Sequence, residues 1–146
     1  MSLAEVFVDT SALYALFARR DRNHARARYS LLALRDERAS LLTSTAVLTE
    51  SYVLVHARAG RVGLLRFRHA LARSQWLRAV DVGSAREAEA WKLLEDQTDK
   101  DYSFVDGTSF VLMRALEVRR AFSFDVHFAQ AGFEVVPEPR SKRGSS

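Results

Sequence analysis

Glu5-Val6-Phe7-Val8-Asp9-Thr10-Ser11-Ala12-Leu13-Tyr14-Ala15-Leu16-Phe17 lies at the start of the chain and sets its fold class. Val6-Phe7-Val8 is a β-branched and aromatic run of the kind found in buried strands. Asp9-Thr10-Ser11 supplies the polar side chains that begin helices, and Ala12 to Phe17 has helical composition. Strand, sharp turn and helix within about ten residues is how an α/β unit starts.

The same rhythm continues outward. Leu41-Leu42-Thr43 predicts a second strand, with Ser44 capping a helix through Tyr52 and Val55 that Gly60 interrupts before another over 62–73. A helix over 23–38 precedes this strand, with Tyr29, Leu32 and Ala33 on its apolar face. Residues 76–82 read as a third strand, followed by a helix capped by Ser84 that carries Ala88, Trp91 and Leu94 on one face. A helix over 104–116, a strand Ala121-Phe122-Ser123-Phe124 ending at Asp125, and a strand over 133–136 complete the series, which Pro137 and Pro139 close. Strands alternating with helices predict a mostly parallel sheet with helices on both faces.

The chain has 146 residues, 48% of them hydrophobic and 27% charged, which suits one globular domain and argues against disorder. With no cysteine there is no disulfide framework and no Cys-ligated zinc or iron–sulfur site. No stretch is long and apolar enough to span a bilayer, and no signal peptide is legible, so the expectation is a cytoplasmic protein with no membrane partner. One domain is expected over 1–139, with 140–146 a basic, disordered tail. The formal charge is +4, and 19 of the 22 cations are Arg. Arginine's planar donors match phosphate oxygens in pairs, although a GC-rich genome would give the same bias.

Four of the 18 acids stand in apolar settings. Asp9 and Asp125 each follow a strand, and in a parallel sheet both would lie along the carboxyl edge where ligands bind. Either alone reads as the cap of the next helix. Glu50 shares a helix face with Val47, Val53 and Leu54, where an unpaired buried carboxylate costs several kcal/mol (roughly) unless a cation meets it. Asp106 points along the face used by Phe110, with Ser103 as a credible cap three residues earlier. Two carboxylates ~4 Å apart repel by about 4 kcal/mol at an effective dielectric of 20, so four together call for cations. Magnesium or manganese is apt, because hard cations take oxygen ligands, and a site that binds one or two such ions suits phosphodiester cleavage by two-metal or metal-activated water attack.

These residues resemble the PIN-domain nucleases and, within them, the VapC-like ribonuclease toxins. The likeness is carried by Val8-Asp9-Thr10-Ser11-Ala12-Leu13, Leu48-Thr49-Glu50-Ser51, Tyr102-Ser103-Phe104-Val105-Asp106 and Phe122-Ser123-Phe124-Asp125-Val126-His127-Phe128, in that order. It implies a three-layer α/β/α sandwich and a Mg2+- or Mn2+-dependent endoribonuclease, the toxin of a type II toxin–antitoxin pair. On this likeness Asp9 and Asp106 are the principal metal ligands, Glu50 and Asp125 complete the acidic pocket directly or through water, and Ser11 or Thr10 steadies the first Asp or a metal-bound water. It also implies RNA as substrate, a homodimer, and an antitoxin whose tail enters the acidic groove. Val105 and Gly107 depart from the family's usual Thr before this Asp and Cys or Ala after it. Gly107 weakens its helix by up to ~1 kcal/mol relative to alanine.

Candidate substrate contacts are Arg19, Arg20, Arg22 and Arg26, which crowd the first interhelical turn, and His127, two residues past Asp125. Arg61, Arg66, Arg68 and Arg73 form a second basic group, while Trp76 and Trp91 read as core. His24, His56, His69 and His127 show no zinc-like spacing. Two other classes stay open: a PIN-like module that grips RNA without cutting, and a metal-dependent phosphohydrolase of small phosphate esters. Retention of four mutually repelling acids argues against the first. The absence of a phosphate loop or Asp-x-Asp argues against the second. The net charge itself divides. Without the three cations of the tail the remainder stands at +1, and setting aside the four acids leaves +5 elsewhere, a basic exterior around an acidic pocket.

Overall fold

A computed structural model describes residues 4–140. The strands are β1 (Glu5–Val8), β2 (Ser40–Ser44), β3 (Leu77–Val80), β4 (Arg120–Phe122) and β5 (Glu134–Val136). The helices are α1 (Thr10–Phe17), α2 (His24–Asp36), α3 (Thr45–Arg73), α4 (Ser84–Asp96), α5 (Phe104–Ala115) and α6 (Val126–Gln130). All five strands pair in parallel in the order β3-β2-β1-β4-β5. The chain steps from β1 to β2 and β3 on one side, then returns to β4 and β5 on the other. The order therefore reverses between β1 and β4, and that switch point opens a crevice at the carboxyl edge.

Val6, Phe7 and Val8 are completely buried. Successive strand residues face opposite sides, so burial of all three requires a helical layer on each face. The α/β/α sandwich expected from the sequence is what forms. Phe7 meets Phe128 of α6 on one side, and Phe128 meets Phe110 of α5 edge to face at 5.0 Å. That aromatic stack ties β1, α5 and α6, the elements that carry Asp9, Asp106 and Asp125. Gly60 adopts φ 70° and ψ −172° within α3, a conformation that L side chains rarely take, and kinks the helix there.

Several local expectations are corrected. In α2 the buried positions are Ala27, Ser30 and Leu34, while Tyr29 is 78% and Leu32 54% exposed and Ala33 also faces solvent. α2 packs against α1 and its buried face is set by Ala27, Ser30 and Leu34, which leaves Tyr29 and Leu32 pointing outward. Ser84 is the first residue of α4, not its cap. Gly83 takes the cap position at φ 82°, and the buried α4 position is Ala90, with Ala88 and Trp91 exposed. Trp91 is exposed and stacks on Phe104 at 4.6 Å, so it is not a core residue, whereas Trp76 is half-buried and packs against the core. β4 ends at Phe122, which leaves Ser123 and Phe124 in the connection to α6. Of the tail, 141–146 lie outside the described residues.

Candidate active site

Asp9, Glu50, Asp106 and Asp125 line one cleft of about 720 Å³ at the carboxyl edge. Asp9 follows β1 into the N-cap position of α1, yet it makes no side-chain capping bond. Its carboxylate is held from another direction. Ser11 Oγ and Ser123 Oγ each donate to Asp9 Oδ2 at 3.0 Å. The same hydroxyls accept from the connection after β4: Ser11 Oγ from Phe124 N at 2.9 Å and Ser123 Oγ from Asp125 N at 3.0 Å. Each serine thus spends its one proton on Asp9 and fills a lone pair with a backbone amide, locking β1 to β4.

Asp106 sits at the third position of α5 in a capping box. Ser103 N donates to Asp106 Oδ2 at 3.0 Å, and Asp106 N donates to Ser103 Oγ at 3.0 Å. Asp125 caps α6 through His127 N at 2.9 Å, so here the cap and the acidic position coincide. Glu50 reaches the cleft from α3, half-buried beside Leu54.

The electrostatics follow from this crowding. Burial pushes the Asp9 carboxyl from 3.8 up to about 6, with the two serine bonds opposing and Asp106 repulsion adding to the rise. Burial likewise raises Glu50, eased by the Thr10 hydroxyl and reinforced by the charges of Asp106 and Asp125. Thr10 Oγ1 lies near Glu50 but is buried without a hydrogen-bond partner. The family likeness offered Ser11 or Thr10 as the residue that steadies Asp9. The geometry gives that bond to Ser11 and turns Thr10 toward Glu50.

His127 is brought in fully. Its Nδ1 lies 2.8 Å from Asp106 Oδ2 and 3.3 Å from Asp125 Oδ1. Asp106, Asp125 and His127 present ligand atoms all within 4.8 Å of one another. Among the described residues, neither Lys nor Arg forms an ion pair with any of the four acids. The side-chain hydrogen bonds to Asp9 and Asp106 all fall on Oδ2. An oxygen-rich cleft, the Oδ1 atoms of Asp9 and Asp106 left without a hydrogen bond among the described residues, and an unpartnered Thr10 hydroxyl fit a hard divalent cation.

The arginines divide. Arg22 lines the acidic cleft, and Arg26 lines a cavity beside it. Arg19 instead borders a separate groove with Phe17, Phe67 and Trp76, and Arg20 is exposed without lining either cavity. The turn between α1 and α2 thus brings Asp21, Arg22 and Asn23 to the cleft and leaves Arg19 and Arg20 outside it.

Among residues that sequence did not single out, Tyr14 and Arg58 line the cleft and Ser123 is buried against Asp9. Arg58 lies over the Tyr14 ring, 4.8 Å from its centroid. The available signal was helical spacing, since 50, 54 and 58 share one face of α3. Nothing local marked Ser123, whose partner is 114 residues away. Asp21 also lines the cleft, where its carboxylate accepts from Asn23 N at 2.9 Å.

Residues 6–134 match the PIN domain. The chain is 37% identical over 134 residues to the 23S rRNA-specific endonuclease VapC20 of Mycobacterium tuberculosis, covering 91% of this chain and 99% of that protein. The crystal structure of Mycobacterium tuberculosis VapC20, described as a Sarcin-Ricin loop cleaving toxin, superposes with a TM-score of 0.77 at 33% identity, over 88% of this chain and 95% of that one. VapBC2 from Rickettsia felis, bound to a promoter DNA fragment, shares the fold at TM-score 0.68 and 12% identity, over 90% and 96% of the two chains. FitAcB from Neisseria gonorrhoeae does so at 0.63 and 16%, over 89% and 95%.

Proposed function

The chain belongs to the PIN-domain family, and on that premise we propose that it is a metal-dependent endoribonuclease, the toxin of a type II toxin–antitoxin pair. The observation that carries this reading is the meeting of Asp9, Glu50, Asp106 and Asp125 in one cleft with neither Lys nor Arg paired to them among the described residues. Asp9 and Asp106 are the principal ligands of a Mg2+ or Mn2+ ion, with Glu50 and Asp125 completing the set. When bound, such an ion activates water for in-line attack on phosphorus and stabilises charge on the leaving oxygen.

The remaining work falls to the protein. Ser11 and Ser123 hold Asp9 in one rotamer and favour its ionised form against burial. His127 orients Asp106 and Asp125 together. Arg22 and Arg58 at the cleft draw in the phosphate backbone that the four carboxylates would otherwise repel. The relative's specificity makes 23S ribosomal RNA the first substrate to examine. We further infer a cognate antitoxin and a homodimer, which co-purification with the neighbouring gene product and sedimentation test in turn.

Mapping of cleavage ends on total RNA after induction, with Asp9→Asn beside wild type, tests the activity. One recurrent site present with wild type and lost in the variant is the expected result. Equal cleavage by both overturns it.

Among the described residues no helix is long and apolar enough to cross a membrane.

A further inference from the structure

Beside the acidic cleft lies a second cavity of about 400 Å³. The two share a wall: Arg22, Asn23, Phe124, Asp125 and Val126 border both. Phe124, Val126, Ala129, Val135 and Pro137 make the second cavity largely apolar, in contrast to its neighbour. Its rim is cationic, with Arg22, Arg26 and Arg140. Arg26 is held in place: its Nη2 donates to Glu138 O at 3.3 Å, and its guanidinium lies over the Phe124 ring, 5.5 Å from the centroid. Asn23 occupies the N-cap of α2 but makes no side-chain capping bond, so its amide is available for another partner.

We propose that this cavity takes one unstacked nucleotide of the RNA next to the scissile phosphate, with the base against Phe124 and the flanking phosphates on Arg22, Arg26 and Arg140. The inference rests on the nuclease reading and adds a recognition subsite to it. A volume of about 400 Å³ falls at the small-ligand end of the range for pockets and is too small for a duplex. An aromatic face with an Arg beside it is how single-stranded bases are held, and a free amide such as that of Asn23 can read a base edge. Three rim arginines complement phosphate. An acidic peptide side chain would meet the same cations, but it would leave the apolar floor and the Phe124 face unused. The Phe124 backbone amide is fixed by Ser11 Oγ, so a base stacked on that side chain is referenced directly to the residue that holds Asp9. Cleavage is thereby directed to loops and unpaired segments, where a base can leave its stack.

The test is an amide NMR titration of the full chain, in chelator, with each of the four nucleoside 5′-monophosphates and with inorganic phosphate. The expected result is perturbation at Asn23, Phe124, Val126 and Val135 by at least one nucleotide, about tenfold weaker in Phe124→Ala, restored in Phe124→Trp, and absent with phosphate alone. Arg26→Gln, which leaves the aromatic wall intact, should weaken nucleotide binding too, and each variant's own spectrum reports its folding. A lack of response at these residues, or equal binding by wild type and Phe124→Ala, overturns the proposal. The companion assay compares cleavage of a hairpin-loop RNA and of the same sequence closed into a duplex. Loop-selective cleavage that Phe124→Ala relaxes supports the subsite. Nucleotide binding without any RNA cleavage keeps the pocket and removes the nuclease reading, whereas RNA cleavage without nucleotide binding removes the pocket alone.

Discussion

His127 Nδ1 approaches Asp106 Oδ2 at 2.8 Å and Asp125 Oδ1 at 3.3 Å, so one imidazole from the first turn of α6 bridges two acids that belong to different helices. Tyr102 supports the ring edge to face at 5.4 Å. Replacing His127 by Ala leaves both carboxylates without this partner. Substituting a partner that orients a metal-binding carboxylate typically costs about 10–100-fold in activity or metal affinity. His127→Ala is expected to lose RNA cleavage in that range while Asp9 is undisturbed. A metal titration followed by the cleavage rate checks it, and a partial recovery at high Mn2+ is the expected signature.

Asp9 gives a pH dependence whose sign can be worked out. Its carboxyl lies at about 6 in the folded protein against 3.8 unexposed to the fold, so the folded chain binds this proton more tightly than the unfolded one. The stabilisation from that proton is full below pH about 4 and fades as pH rises through 6, at a cost of about 3 kcal/mol by neutral pH without metal. Asp9→Asn removes the penalty and keeps the shape. In chelator, its melting temperature should exceed that of wild type by a margin that grows between pH 5 and 7.5. Saturating Mg2+ should raise wild type more than the variant. A margin that does not change with pH would contradict this account.

Arg58 and Tyr14 supply a prediction about affinity rather than chemistry. The guanidinium is exposed at the cleft and rests over the Tyr14 ring, where desolvation is partial and the attraction modest. Arg58→Ala should weaken RNA binding at low salt and reduce the slope of log affinity against log salt by about one. The rate at saturating RNA should change little. Binding of Asp106→Asn, with and without the Arg58 substitution, isolates the effect from cleavage.

Much of this architecture was legible in the sequence because its signals are local. The Val6-Phe7-Val8 strand, the Ser44 cap that accepts from Val47 N, and the break at Gly60 all formed as the residue types dictate. The four acids were conspicuous because charge in an apolar run has an energetic cost that needs a reason. What escaped was set by tertiary approach. The phase of α2 turned on Ala27 and Ser30, whose small size matters only against a particular neighbour. Ser123 looks like any strand-end serine until β4 pairs with β1 and brings it to Asp9. Arg19 and Arg22 are chemically alike, and only the turn between α1 and α2 separates them.

Gly107 shows the same logic and yields the last prediction. Helix propensity alone favours alanine here by up to about 1 kcal/mol. Yet a Cβ at this position would stand 2.6 Å from Leu94 Cδ1, 3.3 Å from Ala90 O and 3.4 Å from Ala90 Cβ. Leu94 can swing aside, but the Ala90 carbonyl belongs to the backbone of α4, and Ala90 is itself fully buried. The glycine is what lets α4 seat against α5 one residue after Asp106. Gly107→Val adds bulk that neither helix can absorb, and overpacking of this kind costs about 1–3 kcal/mol. Because α5 positions Asp106, the displacement should also reach the site. A lowered melting temperature together with a reduced cleavage rate is expected for Gly107→Val, and the paired variant Gly107→Val with Leu94→Ala should recover part of both. If the double variant recovers neither, the contact with α4 is not what fixes this glycine.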